Sequence, residues 1–225
     1  MRSDGSPTDT SPGRPFGILV VCTGNICRSP LAERLGRAFL DETAGAEAAD
    51  LGIGSAGTRA VVGSGMHPHS AEVLRGLGGD PADFRARQVT RELLVAADLT
   101  LTLTRAHRQE VLALDPRGLS RTFTLLEARD LLGSVTDDLP PSGPDAGEAQ
   151  RSLVRRLHAA RSRRRGGPAD DVRDPVDGPL EVHQEVGDLI SEALLPLLTR
   201  FLRAAGVAGP DGAGDHLTVV GDAGR

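Results

Sequence analysis

Two thiols and one guanidinium lie within a single short segment, VCTGNICRSP, at residues 21–30. Cys22 and Cys27 are the only two cysteines of the 225-residue chain, and Arg28 follows Cys22 by six positions. A guanidinium can donate two parallel hydrogen bonds to phosphate oxygens, and its positive field favours the thiolate form of a nearby cysteine. A thiolate beneath a bound phosphate is set up for in-line attack on phosphorus. These residue types predict phosphate-ester chemistry with Cys22 as the nucleophile.

The segment is expected to be a loop that joins a strand to a helix. The apolar, β-branched run FGILVV before it is typical of a buried parallel strand, and Pro30 lies where a helix would begin. Gly24 and Asn25 tolerate the left-handed backbone that lets several N–H groups converge. A loop of this kind at the start of a helix binds anions.

The rest of the chain alternates between strand and helix patterns. Further strands are predicted over residues 51–58, 98–104 and 121–126, and helices over 31–42, 70–78, 107–114, 127–132, 151–165 and 182–205. Such alternation predicts right-handed crossovers and a parallel sheet that is covered on both faces. We therefore predict a single α/β domain with a four-stranded parallel sheet in a flavodoxin-like, three-layer arrangement.

The predicted domain spans residues 15–205. Residues 1–14 are polar and rich in Pro and Ser, which is typical of a disordered leader. Residues 133–150 are predicted to form an acidic loop rich in Pro and Gly, and residues 206–225 a flexible tail.

Composition limits the classes of binding partner and the cellular compartment that we expect. A net charge of −5 gives no overall attraction to nucleic acid or to an anionic membrane. The N-terminus has no apolar stretch like that of a secretory signal, so we predict a cytoplasmic protein whose thiols stay reduced. All 26 basic residues are Arg, which indicates GC-rich coding and a bacterial host.

VCTGNICRSP resembles the signature of the low-molecular-weight protein tyrosine phosphatases. SAGT (55–58), RARQVT (85–90) and ADLTLTLT (97–104) resemble further landmarks of that family in the expected order. The resemblance covers about residues 16–204. It implies the phosphotyrosine phosphatase I-like fold, a cysteine-dependent phosphatase activity on protein phosphotyrosine or a related phosphomonoester, and no metal or other cofactor.

The resemblance also implies roles for individual residues. Cys22 would be the nucleophile, Ser29 would stabilise its thiolate, and Ser55 would orient Asn25. The phosphate would be bound by the loop residues Thr23, Gly24, Asn25, Ile26, Cys27 and Arg28. By the same resemblance, Cys27 would form a protective disulfide with Cys22 after oxidation.

A phosphatase also needs a proton donor for the leaving oxygen, which the family carries in an Asp-Pro pair before its last helix. Here that pair is Asp174 and Pro175 in DVRDPVDGP. Because a residue before proline is held in an extended conformation, Asp174 suits a loop that reaches over the pocket. Three other acidic residues close by remain alternatives: Asp170, Asp171 and Asp177.

The sequence departs from the family at the substrate-facing positions. Val176 and Asp177 follow the Asp-Pro pair where relatives have aromatic residues, and Phe84 stands where many relatives have a histidine. Ile26 stands where relatives that act on phosphoarginine have Thr, which favours aryl phosphates. Phosphoarginine hydrolysis and phosphopeptide binding with little turnover remain alternatives, whereas arsenate reduction is disfavoured because it needs a third thiol.

Two remaining features are interpreted as surface. His67 and His69 lie in a polar, Pro-containing segment and are predicted to be solvated rather than metal-binding. The seven Arg between residues 151 and 165 are interpreted as a solvated helix face, not a nucleic-acid or membrane contact. The expected partner is a phosphoprotein, such as a bacterial tyrosine kinase, and we expect a monomer.

Overall fold

Four parallel strands form the sheet at the centre of the fold. The structure, a computed structural model, describes residues 15–45, 51–135 and 146–207. The strands are β1 (Phe16–Cys22), β2 (Leu51–Gly57), β3 (Leu99–Thr102) and β4 (Thr122–Thr124), in the order β2-β1-β3-β4. Strand β1 is central and pairs in parallel with β2 and β3. The predicted four-stranded parallel sheet is confirmed.

The helices connect successive strands and then close the domain. They are α1 (Arg28–Ala44), α2 (Pro68–Gly76), α3 (Arg91–Ala96), α4 (Arg105–Leu114), α5 (Leu125–Leu132), α6 (Ala146–Ala160) and α7 (Leu180–Ala204). Helix α3 was not predicted, because six residues are too few to show a clear apolar period. Within the described ranges, no helix combines the length and the apolar character needed to cross a membrane.

Side chains of β1 alternate between two apolar clusters, one on each face of the sheet. Phe16, Ile18, Val20 and Cys22 belong to the larger cluster, which includes residues of α1, α5, α6 and α7. Leu19 and Val21 belong to the smaller cluster with residues of α3 and α4. The continuous apolar run of β1 is explained by burial on both faces, and the predicted helices on both faces are confirmed.

Several boundaries differ from the predictions: β3 is shorter than the predicted strand over 98–104, and α6 ends at Ala160 and not at residue 165. Two further differences have identifiable reasons. The predicted strand over 121–126 ends at Thr124, because that hydroxyl caps the main-chain N–H of Glu127 and the Glu127 side chain caps Thr124 in return. The predicted loop over 133–150 ends earlier, because α6 begins at Ala146. Residues 136–145 of that loop lie outside the described residues, as does the predicted leader at 1–14.

The last helix ends in a glycine cap. Gly206 has φ +82° and its N–H donates to the Arg203 carbonyl at 3.0 Å, while the Val207 N–H donates to the Leu202 carbonyl at 3.0 Å. This pairing is a Schellman motif. Gly206 and Val207 therefore close α7, and residues 208–225 of the predicted tail lie outside the described residues.

The arginine-rich segment after α6 is bonded to the body of the domain. Arg161 donates to Glu127 at 2.8 Å and to the Thr122 carbonyl at 2.7 Å, and its guanidinium lies 4.2 Å from the centre of the Phe123 ring. Arg164 bonds Asp130 and Asp170. The interpretation of a solvated helix face is wrong for these two arginines, because both are largely buried and bonded to residues outside α6.

Candidate active site

Residues 22–28, the predicted phosphate-binding segment that we call the phosphate loop, begin at the carboxyl end of β1 and end in the first turn of α1. Asn25 has φ +53°, the left-handed conformation predicted for this loop. The strand and the helix fix both ends of the loop, so Cys22 and Arg28 have defined positions. Both are buried, with exposed fractions of 2% and 3%.

Carbonyl groups of the loop are bonded to the segment that follows β2. The acceptors are the carbonyls of Cys22, Thr23, Gly24 and Ile26, and the donors are the N–H groups of Thr58, Arg59, Val61 and His67, at 2.8–3.0 Å. In a trans peptide the C=O of one residue and the N–H of the next point in opposite directions. The next N–H groups are therefore turned away from that segment, as an anion cradle requires.

Close packing at the end of β2 requires a glycine. A β-carbon at Gly57 would overlap the Thr23 carbonyl oxygen and lie 3.0 Å from the Asn25 nitrogen. The glycine of the SAGT segment thus lets β2 approach the backbone of the phosphate loop.

A buried polar network holds the side chain of Asn25. Its amide nitrogen donates to Ser29 at 2.9 Å and to Ser55 at 2.8 Å, and its oxygen accepts from the Arg87 N–H at 2.9 Å. Ser55 in turn donates to Glu33 at 2.6 Å. The predicted pairing of Ser55 with Asn25 is present, whereas Glu33 was missed because its position in the α1 helical pattern does not reveal that it faces inward.

Ser29 lies next to the candidate nucleophile. Its Oγ is 2.9 Å from the Cys22 sulfur. This oxygen accepts from Asn25, and its hydroxyl proton can be donated to the Cys22 sulfur or to the Ala56 carbonyl at 3.4 Å. A hydrogen bond to sulfur stabilises the thiolate form.

Arg28 connects the loop to the Asp-Pro segment. One guanidinium nitrogen donates to the Val172 carbonyl at 3.1 Å, and the other donates to the Asp174 carboxylate at 2.5 Å. The Val172 N–H donates to the Leu103 carbonyl at 2.8 Å, which fixes this segment to the chain just after β3. The side chain of Asp174 remains 45% exposed.

The acidic neighbours of Asp174 have other surroundings. Asp170 is bonded to Arg164, and Asp171 accepts from the N–H of Arg105 at 2.7 Å. Asp177 is exposed. Of these four carboxylates, all within the described residues, Asp174 alone accepts a hydrogen bond from Arg28.

His107 is a site residue that the sequence reading missed. Its Nε2 is 2.8 Å from the Thr23 hydroxyl, and its Nδ1 is 2.9 Å from the hydroxyl of Thr104, which caps α4. Burial, with a further contribution from the positive charge of Arg28, lowers the pKa of His107 to about 4. The ring is therefore neutral near pH 7. A signal existed, since His107 follows β3, and polar residues just after neighbouring parallel strands meet at one edge of the sheet.

Cys27 is a buried thiol in the phosphate loop. Burial raises the pKa of Cys27 to about 11, although a hydrogen bond with Ser70 opposes this change. Cys22 and Cys27 are both free thiols. The sulfur of Cys27 and one ring nitrogen each of His67 and His183 lie within 4.8 Å of one another, which makes these three residues the candidate metal donors.

Exposed apolar side chains lie in the two segments that contact the phosphate loop and Arg28. Val61, Val62 and Val176 are 48%, 69% and 37% exposed. Phe84, which replaces a family histidine, is instead buried at 4% exposure, with the Arg34 guanidinium 5.7 Å from its ring centre. Phe84 therefore packs in the interior and offers the loop no hydrogen bond.

A family model described as low molecular weight phosphotyrosine protein phosphatase matches residues 17–140. The chain belongs to this family. The predicted family and enzyme class are confirmed: the protein is a cysteine-dependent phosphatase of the low-molecular-weight protein-tyrosine-phosphatase type.

Relatives with both tyrosine and arginine phosphatase names are similar to this chain. It is 38% identical over 110 residues to the probable low molecular weight protein-tyrosine-phosphatase EpsP of Ralstonia nicotianae, covering 49% of this chain and 70% of that protein. It is 34% identical over 128 residues to the protein-arginine-phosphatase of Bacillus subtilis, covering 56% of this chain and 79% of that protein. The arginine phosphatase YwlE from Geobacillus stearothermophilus has a similar structure, with a TM-score of 0.60 and 26% identity over 84% of this chain and 94% of the other.

Proposed function

We propose that this phosphatase hydrolyses phosphotyrosine in other proteins through a phosphocysteine intermediate on Cys22. The observation that carries the proposal is the hydrogen bond between Arg28 and Asp174. This bond brings the predicted proton donor next to the predicted phosphate-binding guanidinium. The substrate is another protein, since this chain contains no tyrosine. Bacterial tyrosine kinases are the corresponding partner class, and the proposed form is a cytoplasmic monomer.

In the first step, the Cys22 sulfur attacks phosphorus and the bond from phosphorus to the tyrosyl oxygen breaks. Asp174 donates its proton to that oxygen, which leaves as a neutral phenol. Arg28 and the N–H groups of Thr23, Gly24, Asn25 and Cys27 stabilise the negative charge on the equatorial oxygens. The hydrogen bond between Thr23 and neutral His107 holds the first residue of this loop in place.

In the second step, water hydrolyses the phosphocysteine. The Asp174 carboxylate accepts a proton from the water, whose oxygen attacks phosphorus while the bond to sulfur breaks. The Ser29 hydroxyl, 2.9 Å from the sulfur, stabilises the departing thiolate. Inorganic phosphate then leaves and the starting groups are restored.

Cys27 is proposed to protect the nucleophile from over-oxidation. A sulfenic acid on Cys22 would condense with the Cys27 thiol, releasing water and forming a disulfide that thiols can reduce. In support, Cys22 and Cys27 are both buried free thiols of the same short loop. Peroxide treatment of Cys27→Ser should give inactivation that dithiothreitol does not reverse.

The aryl substrate is supported by exposed apolar side chains in the segments next to the phosphate loop. Ile26 is half-buried in the loop, and Val61, Val62 and Val176 expose apolar surface. A phosphotyrosine ring can bury apolar area against such side chains. Phosphoarginine is the second candidate, because the exposed carboxylate of Asp177 would attract its positive guanidinium.

Hydrolysis of p-nitrophenyl phosphate by wild type, Cys22→Ser and Asp174→Asn tests the mechanism. Turnover should vanish in Cys22→Ser and fall by about 100-fold or more in Asp174→Asn. Wild type that binds phosphate without turnover would make the chain a binding module. Matched phosphotyrosine and phosphoarginine peptides, assayed with wild type and Asp177→Asn, distinguish the two substrates. If wild type prefers phosphoarginine and Asp177→Asn loses that preference, the aryl substrate is excluded.

A further inference from the structure

Three histidines and one cysteine lie together beside the phosphate loop. The rings of His67 and His183 stack with their centres 4.7 Å apart, and the His69 ring stands edge-on to His183 at 5.2 Å. One donor atom each from Cys27, His67 and His183 lie within 4.8 Å of one another. Cys27 and His183 are buried, with 4% and 1% exposure, whereas His67 and His69 are half-buried.

The cluster contains buried ring nitrogens that have no hydrogen-bond partner. They are Nδ1 of His67, Nδ1 of His69 and Nε2 of His183. The carbonyl of Pro175 interacts with the His183 ring but forms no bond of ordinary geometry with Nε2. Buried polar groups in folded proteins almost always have partners. Three such nitrogens beside a thiol therefore indicate a ligand that accepts nitrogen and sulfur donors.

The other nitrogen of His183 is already oriented. Its Nδ1 lies 2.8 Å from the Ser70 hydroxyl, the same hydroxyl that bonds Cys27. A hydrogen bond to the second ring nitrogen is the usual support for a metal-binding histidine.

The donors come from rigid parts of the fold. His67 precedes α2, and its N–H is bonded to the Ile26 carbonyl of the phosphate loop at 2.8 Å. His183 is in the first turn of α7, which packs tightly on α2: a β-carbon at Gly187 would lie 2.5 Å from Val73. The relative positions of His67 and His183 are thus fixed by helix packing.

We propose that Cys27, His67 and His183 bind a zinc ion whose fourth position is open to water. Thiolate and imidazole together suit zinc, which prefers four tetrahedral ligands. Bond lengths of about 2.3 Å to sulfur and about 2.0–2.1 Å to nitrogen require donors about 3.3–3.6 Å apart. The donors now lie within 4.8 Å of one another, so they approach by up to about 1.2–1.5 Å when the ion binds. Zinc displaces the thiol proton of Cys27 to solvent and forms a zinc–sulfur bond.

Zinc at this site would control the redox chemistry of the loop. A coordinated Cys27 cannot form a disulfide with Cys22, so bound zinc would remove the protection against peroxide. This consequence rests on the proposed function, whereas zinc binding itself does not. The experiment therefore measures binding and not activity.

Cobalt(II) replaces zinc as the spectroscopic probe, and the full chain carries Cys22→Ser so that Cys27 is its only thiol. We expect one cobalt per chain, a thiolate-to-cobalt charge-transfer band in the near ultraviolet, and displacement of cobalt by one equivalent of zinc. Adding His67→Gln or His183→Gln should weaken cobalt binding by at least about tenfold. Adding His158→Gln, which changes a histidine on α6 outside the cluster, should leave the cobalt affinity unchanged.

Three outcomes would overturn the zinc site: no charge-transfer band in the Cys22→Ser protein, a band that survives Cys22→Ser/Cys27→Ser, or unchanged affinity in both histidine variants. Circular dichroism checks the folding of each metal-free variant. If His183→Gln does not fold, Ser70→Ala serves instead, because it keeps all three protein ligands. It removes the hydrogen bond that orients His183, and unchanged cobalt affinity in this variant would also contradict the proposal.

Discussion

The Arg28 guanidinium donates a 2.5 Å hydrogen bond to the Asp174 carboxylate, across the mouth of the loop that begins with Cys22. The same guanidinium is the group that phosphate oxygens would contact. Asp174 and a bound phosphate therefore compete for Arg28 and repel each other as anions.

The first prediction concerns this competition. In Asp174→Asn, inorganic phosphate should bind about 2- to 5-fold more tightly, the range expected for loss of a partly exposed ion pair. Isothermal titration calorimetry measures the affinity. Asp177→Asn is the control and should change phosphate affinity much less, because Asp177 does not contact Arg28. Weaker phosphate binding in Asp174→Asn would show that the pair does not oppose the anion.

The second prediction concerns the network around Asn25. Ser55→Ala should lower the free energy of unfolding by about 1–3 kcal/mol, because it leaves the buried Asn25 amide and Glu33 carboxylate without their shared partner. It should also lower kcat, since Asn25 holds Ser29 beside Cys22. Urea unfolding and steady-state kinetics give both values, with exposed Ser162→Ala as the control. Ser55→Ala with the kcat of wild type would exclude a positioning role.

The third prediction concerns the contact between β2 and the phosphate loop. Gly57→Ala should destabilise the fold by about 1–3 kcal/mol and weaken phosphate binding, because the added methyl group overlaps the Thr23 carbonyl. Gly65→Ala is a matched control in the following segment, where a β-carbon would meet nothing within 4 Å. Thermal unfolding and phosphate titration of both variants check this, and equal behaviour of the two would contradict it.

The fourth prediction concerns pH. His107 has a pKa of about 4 in the folded chain and an ordinary value of 6.5, so between these values the unfolded chain binds a proton that the folded chain does not. Stability should therefore fall as pH decreases through this window. His107 should contribute about 2 kcal/mol of the loss between pH 7 and pH 5.

Urea unfolding at pH 7 and pH 5 gives the change in unfolding free energy for wild type and for His107→Gln. The contribution of His107 is the difference between these two changes. Thr23→Val is the comparison, because it removes a hydrogen bond but keeps the buried imidazole and should retain the pH dependence. His107→Gln with the pH dependence of wild type would place the titrating group elsewhere.

The elements close to strong local signals could be predicted from sequence. The apolar run of β1 and the glycine and asparagine after it indicate a strand that opens into an anion-binding loop, and the structure has this arrangement. The pairing of Ser55 with Asn25 came from family resemblance and not from spacing. Asp174 could be named from its proline, but its contact with Arg28 depends on how the Val172 segment joins the end of β3.

Residues whose role depends on packing between distant elements could not be predicted. Glu33 looks like any polar residue of an amphipathic helix, and only the position of β2 shows that it accepts from Ser55. His67 and His69 were interpreted as solvated because their local sequence is polar. They meet His183 only because α2 and α7 pack closely. The residue pattern of either helix alone does not predict that contact.

The bonds from residues 58–67 to the carbonyls of the phosphate loop have a kinetic and thermodynamic consequence. The loop is organised by main-chain contacts that do not involve substrate, so an arriving phosphate meets dipoles that are already aligned. Binding then requires little ordering of the protein, and the barrier to the chemical step contains little reorganisation energy. Loss of those contacts would increase the entropic cost of anion binding, even with every catalytic group still present.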